Sequence, residues 1–71
     1  MSPDKLVYMA NQIGKFFASQ GEENAVPQIA DHLVKFWDPR MRREIAALVA
    51  SGGGGDRLDP LVRRAVERLP D

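Results

Sequence analysis

His32 is the only histidine of the chain and stands beside Asp31, which makes this pair the first candidate for acid–base chemistry. General acid–base catalysis requires groups that lie within hydrogen-bond reach of each other or of a substrate. Neighbouring residues on a helix point ~100° apart, so Asp31 and His32 do not form a dyad. No base stands near Ser2, Ser19 or Ser51 that would activate a serine nucleophile. We therefore predict no catalytic residue here, and we interpret His32 as a partly buried helical residue bonded to a neighbour.

The sequence also lacks the residues for a zinc site or a phosphate-binding loop. The chain has no cysteine and one histidine, so it cannot build a zinc site. The glycine run at 52–55 has no strand before it and no Lys followed by Ser or Thr after it, both of which a phosphate-binding loop requires. We expect no cofactor and no metal on this chain, and we interpret residues 51–55 as a flexible tether.

The densest cluster of positive charge is formed by Arg40, Arg42 and Arg43, within a run at 31–44 that also holds the only tryptophan. These arginines fall in the first turns of a predicted helix, where the helix dipole disfavours exposed cations by ~0.3–1 kcal/mol each. One interpretation is a solvated face with internal pairs, such as Arg40 with Glu44. The other is a surface for an anionic partner, since guanidinium groups make bidentate contacts with carboxylate or phosphate. The residues leave both interpretations open.

The aromatic pair Phe36-Trp37 also allows two interpretations. Adjacent helical residues cannot both point into one core, so Phe36 could fill the core while Trp37 closes the corner against Pro39. Alternatively Trp37 contacts a partner, because Trp and Arg are enriched at binding hot spots. The earlier pair Phe16-Phe17 continues an apolar stripe at helical spacing and is interpreted as core.

Length and composition favour a small protein with a partner. A chain of 71 residues forms one domain, 1–71, and buries only ~60% of the surface that it exposes when unfolded. Formal net charge is zero, which argues against a stand-alone nucleic-acid binder. There is no signal-peptide pattern and no apolar stretch approaching the ~20 residues that span a bilayer, so we expect a cytoplasmic protein.

The elements that would position these residues are all helices. Ser2-Pro3, Asp38-Pro39 and Asp59-Pro60 each combine a capping residue with a proline at the first helical position. A fourth start is expected at Asn24, which would place Pro27 within the first turn. We predict an all-α fold, a small bundle of three to four short helices with a Gly-rich linker before the last. The expected helices span 3–19, 25–37, 39–50 and 60–69.

Three segments resemble the delta subunit of the NAD-dependent, molybdenum-containing formate dehydrogenases. They are MANQIGKFFAS at 9–19, IADHLVKFWDPRMRREI at 29–45 and LDPLVRRAVERL at 58–69, and they follow in the same order from residue 9 to residue 69. The string HL-x-KFWDPRMR is the specific part of the resemblance, because caps and apolar stripes are common to many helices.

The resemblance implies a non-catalytic accessory subunit of a cytoplasmic complex that oxidises formate to carbon dioxide and reduces NAD. Its partners would be an alpha subunit with the bis-guanine-dinucleotide molybdenum cofactor and iron–sulfur clusters, a beta subunit with FMN and the NAD site, and a gamma subunit with a further cluster. Direct contact with alpha is expected, in support of its assembly or stability. No membrane and no nucleic acid are expected as partners.

The resemblance carries no catalytic residue onto this chain, but it does carry an interaction motif. With Arg43 from the basic cluster, the predicted partner-binding residues are Phe36, Trp37, Asp38, Pro39, Arg40, Met41, Arg42 and Arg43. A different class of function remains as the alternative, a free-standing regulatory or DNA-binding module. In that module the arginine-rich third helix would contact phosphates.

Overall fold

Four α-helices, with no strand between them, make up the part of the chain that the computed structural model describes, residues 2–52 and 57–70. In chain order they are α1 (Pro3–Ala18), α2 (Glu22–Phe36), α3 (Pro39–Ser51) and α4 (Pro60–Glu67). The predicted all-α fold is confirmed. Of the flexible tether predicted at 51–55, Ser51 instead ends α3 and Gly52 is its C-cap, and residues 53–55 lie outside the described residues. None of the described helices combines the length and the hydrophobicity that a membrane span requires.

Three of the four helices begin with the predicted cap and proline. The Ser2 hydroxyl accepts a hydrogen bond from the Lys5 backbone N–H at 3.3 Å. The carboxylates of Asp38 and Asp59 accept from the N–H groups of Met41 at 2.8 Å and Leu61 at 2.9 Å. Each cap satisfies one N–H group that has no partner within its own helix.

Helix α2 begins three residues before the predicted start at residue 25. Its cap is Gly21, whose φ of 87° is readily adopted only by glycine, and Glu22 and Glu23 follow in the first turn. The expectation that Asn24 caps this helix is therefore wrong, and Pro27 lies inside the helix, beyond its first turn. The acidic first turn favours the early start, because carboxylates stabilise the positive end of the helix dipole.

The core draws on all four helices, and the short α4 supplies much of it. The largest side chains with no exposed surface are Leu6, Ile29, Leu33, Ile45 and Val62. From α4, Val62, Ala65 and Val66 are buried, whereas Ile45 is the only buried residue of α3. Helix α4 therefore closes the core over α1 and α2, and α3 keeps several apolar side chains only half-buried.

Two contacts with α1 fix the position of α4. Gly14 packs so closely that a Cβ placed there would lie 2.5 Å from Cγ2 of Val62. The Asn11 amide donates to the Arg57 carbonyl at 3.0 Å and accepts from the Asp59 N–H at 2.8 Å. The side chain of Asn11 thus forms hydrogen bonds with two backbone groups of the segment that leads into α4. These groups have no partner within a helix and would otherwise need one from elsewhere in the fold.

Candidate functional site

The turn between α2 and α3 forms the corner in which the predicted partner-binding residues lie. Trp37 has extended backbone angles, φ −93° and ψ 140°, and Asp38 follows with φ −75° and ψ 164°. Extended geometry at Asp38 is required because the ring of Pro39 excludes the α conformation of the preceding residue. Helix α2 therefore ends at Phe36, and α3 begins only three residues later.

Phe36 and Trp37 point in different directions at this corner. Trp37 is 5% exposed and belongs to the core, whereas Phe36 is 72% exposed. The interpretation that Phe36 fills the core is therefore wrong. The switch to extended geometry at Trp37 turns its indole inward, while the last helical residue stays on the outer face. A direct contact of Trp37 with a partner stays a prediction, with little of its surface available for it.

Arg42 is held by the end of the preceding helix. Its half-buried guanidinium donates from Nη1 toward the backbone carbonyls of Trp37, Val34 at 3.1 Å and Leu33 at 3.5 Å. Leu33 and Val34 lie in the last turn of α2, and Trp37 is its C-cap. The Leu33 carbonyl already accepts the Trp37 N–H at 3.0 Å, so Arg42 chiefly serves the carbonyls of Val34 and Trp37, which lie too close to the helix end for a partner within α2. The negative end of the α2 dipole also favours a cation here. This contact explains an arginine near the start of α3, which the dipole of α3 alone would disfavour.

Arg40 and Arg43 keep their charges on the surface. Both side chains are exposed, and within residues 2–52 and 57–70 neither forms an ion pair. The pair of Arg40 with Glu44, which the interpretation as a solvated face allowed, is thus not formed. Arg43 lines a shallow groove with Pro39, Arg42 and Pro70, between the start of α3 and the end of the described chain. Of the three arginines, Arg42 serves the fold and the other two are available to an anionic group.

The remaining predicted residues also divide between fold and surface. Asp38 and Pro39 are exposed and start α3, while Met41 is half-buried and packs against the core. The structure therefore brings Phe36, Arg40 and Arg43 to the surface with the two residues of the turn. Trp37, Met41 and Arg42 hold the corner together.

A row of four rings runs across α1 and α2 and was not predicted as a site. Phe16 meets Phe17 edge-on with ring centroids 5.1 Å apart, Phe17 lies 6.1 Å from His32, and His32 lies 4.7 Å from Phe36. We call Phe16, Phe17, His32 and Phe36 the aromatic row. Phe16 is 75% exposed, so its interpretation as core is wrong, whereas Phe17 is half-buried against the core.

One signal in the sequence could have revealed the exposure of Phe16. The buried face of α1 is formed by Leu6, Val7, Ala10 and Gly14. Gly14 has no side chain and was not counted in the apolar stripe. When it is included, the centre of the stripe rotates toward Phe17 and away from Phe16, because the two residues differ by ~100° around the helix.

The described residues do not assemble an acid–base pair around His32. Asp31 pairs instead with Lys35 at 3.0 Å, four residues along α2, as an exposed ion pair. His32 is half-buried between the rings of Phe17 and Phe36. In residues 2–52 and 57–70, no three side chains of the metal-binding types are gathered closely enough to hold an ion. Among the described residues, the groups at this corner that can contact a partner are the aromatic rings and the unpaired guanidinium groups of Arg40 and Arg43.

The fold and these surfaces define a small all-α protein that presents aromatic rings and free arginines at one corner. The family comparison agrees with the resemblance of the sequence. The chain belongs to the family of the NADH-dependent formate dehydrogenase delta subunit FdsD, whose family model matches residues 5–66. The match includes the corner and the whole aromatic row. Comparison with curated proteins and with solved structures found no match.

Proposed function

We propose that this chain is a non-catalytic accessory subunit that binds the molybdenum-containing alpha subunit of a cytoplasmic, NAD-dependent formate dehydrogenase. The observation that carries the proposal is the family match over residues 5–66, nearly the whole chain. The bis-guanine-dinucleotide molybdenum cofactor, iron–sulfur clusters, FMN and NAD would then be held by the alpha, beta and gamma subunits. The role of this chain would be to support the assembly or stability of alpha.

The physical properties of the chain support a binding role. Its exposed rings and unpaired arginines are of the residue types that dominate the energetics of protein interfaces. A protein of this size also has a small core, to which a partner surface adds stability. The balanced net charge fits a protein partner better than a polyanion.

The alternative of a DNA-binding module has less support. It required Arg40, Arg42 and Arg43 to contact phosphates together. Arg42 is instead directed toward the carbonyls at the end of α2, so only the other two remain for such contacts. DNA binding would show an affinity that falls steeply with salt concentration.

The decisive experiment is to produce the alpha, beta and gamma subunits with and without this chain. We expect that omission lowers the yield of intact complex or its molybdenum content, and with it the formate-dependent reduction of NAD. Equal yield, molybdenum content and activity without the chain would refute a supporting role. Retention of the chain through purification, measured by quantitative mass spectrometry, would distinguish a permanent subunit from a factor that acts only during maturation.

A further inference from the structure

The two end rings of the aromatic row are exposed, although helix packing does not require them to be. Phe16 and Phe36 are 75% and 72% exposed, and each lies at one end of a continuous series of ring contacts. Single exposed apolar residues are ordinary on protein surfaces, but contiguous apolar patches mark sites of interaction. Neither outer ring belongs to the buried face of its helix, so helix packing does not account for their position.

The cations near the row outnumber the carboxylates, and the carboxylates already have partners. Segments 12–20 and 28–36, which carry the four rings, contain Lys15 and Lys35 as cations and Asp31 as the only carboxylate. Asp31 is already paired with Lys35, and Lys15 forms no ion pair within the described residues. Across the turn, Phe36 is followed by Asp38, whose carboxylate caps the Met41 N–H of α3, and by Arg40, which forms no ion pair in the described part of the chain. The surroundings of the row therefore complement a partner that carries carboxylates.

These charges disfavour a second copy of the chain as the occupant. In a two-fold symmetric dimer the same patch meets itself, so the basic surroundings of one row would face those of the other. Like charges brought together across an interface oppose association. A different chain with acidic residues beside apolar ones has no such conflict.

We infer that the aromatic row is the docking surface for a segment of another formate dehydrogenase subunit, one that combines apolar side chains with carboxylates. This inference rests on the proposed function for the existence of that partner. The outer rings of Phe16 and Phe36 bury against its apolar side chains, and aromatic side chains there add edge-to-face contacts. Carboxylates at the margin pair with Lys15 and Arg40.

The test compares a double variant, Phe16→Ala with Phe36→Ala, with a matched control, Tyr8→Ala. Tyr8 is also an aromatic residue of α1, 65% exposed, but is not part of the row. Binding of each full-length chain to the complex of the other three subunits is measured by calorimetry. We expect the double variant to bind about tenfold more weakly or worse, and Tyr8→Ala to stay within about twofold of the unmodified chain. Far-UV circular dichroism should show equal helix content in all three.

A second arm tests the charge of the partner. Lys15→Glu should weaken binding several-fold and reduce its dependence on salt, because it places a carboxylate opposite carboxylates. Lys5→Glu is the control, since Lys5 is an exposed lysine of the same helix three turns away. If Lys15→Glu binds as tightly as Lys5→Glu, the acidic character of the partner is refuted.

The outcomes separate this inference from the function on which it rests. If the unmodified chain binds none of the subunits, the proposed function fails. If the unmodified chain and the double variant bind equally, the function stands and the row is not its docking surface. If the free chain sediments as a dimer that the double variant abolishes, the row joins two copies of this chain, and the inference is overturned.

Discussion

The guanidinium of Arg42 donates a hydrogen bond to the backbone carbonyl of Trp37, so the side chain of one helix completes the end of the helix before it. The same group reaches the Val34 carbonyl at 3.1 Å. Asp38 caps the start of α3 at the same corner. Two side chains four residues apart, Asp38 and Arg42, thus bond backbone groups at the start of one helix and the end of the other. The motif that carries the resemblance to the family therefore also holds α2 and α3 together at the corner.

Replacing Arg42 with methionine should destabilise the fold itself. Arg42→Met keeps most of the side-chain stem but removes the donors to the α2 carbonyls. We expect a loss of about 1–2 kcal/mol in the free energy of unfolding, measured by urea denaturation. Arg43→Met, at an exposed arginine one residue away, is the control and should change stability by less than about 0.5 kcal/mol. Equal effects of the two changes would mean that the contacts of Arg42 contribute nothing to stability.

The adjacent rings of Phe36 and Trp37 should respond in opposite ways. Trp37→Ala removes a large buried side chain and should cost about 3–5 kcal/mol, enough to leave a domain of this size largely unfolded. Phe36→Ala should leave the unfolding transition within about 0.5 kcal/mol of the original. Circular dichroism during urea titration measures both. A Trp37→Ala chain that stays folded but no longer assembles would show that the indole acts at an interface.

Gly14 should not tolerate a methyl group. A Cβ at this position would lie 2.5 Å from Cγ2 of Val62, on a fully buried side chain that has little room to move. The better helix propensity of alanine is worth about 1 kcal/mol, and we expect overpacking of about 1–3 kcal/mol to outweigh it.

The clash at Gly14 predicts a specific rescue. Val62→Ala alone should destabilise the fold because it opens a cavity, but combined with Gly14→Ala it makes room for the new methyl group. In a double-mutant cycle of unfolding free energies, the pair should therefore cost less than the two single changes together. Additive costs would mean that the two positions do not meet in solution.

Asn11 should control how firmly α4 is attached. Asn11→Ala removes the amide that bonds the Arg57 carbonyl and the Asp59 N–H, leaving both backbone groups without that partner. We expect faster hydrogen exchange of the α4 amides than of the α1 and α2 amides, because α4 opens locally first. Gln12→Ala, an exposed amide side chain on the same helix, is the control. Uniformly faster exchange in all helices would argue that α4 does not open as a separate unit.

Local chemistry made the helix starts predictable from the sequence. Ser2, Asp38 and Asp59 each act on N–H groups two or three residues away, so their roles can be seen without knowing the fold. The start of α2 was misplaced because Asn24 resembles a cap, while the positive φ of Gly21 is set by the path of the chain between α1 and α2. The remaining predicted boundaries agree within two residues.

The surface was harder to predict because it depends on which helices meet. That Phe16 is exposed follows from the contact of Gly14 with Val62, which is 48 residues away in the sequence. The capping role of Arg42 likewise depends on the angle at which α3 leaves the corner. The sequence located the basic and aromatic residues, but the division between those that hold the fold and those that face outward required the structure.

The arrangement of α4 has a consequence for the order in which this protein matures. The residues that cover the core, Val62, Ala65 and Val66, are synthesised after all its other buried residues. Before α4 is synthesised, Leu6 and Ile29 remain partly exposed to water, even if α1 and α2 have already formed. Folding of this core is therefore completed only after α4 has been synthesised. A product that stops at the glycine run would lack α4 and expose the apolar core. We expect such a fragment to aggregate and to be bound by chaperones or degraded by proteases.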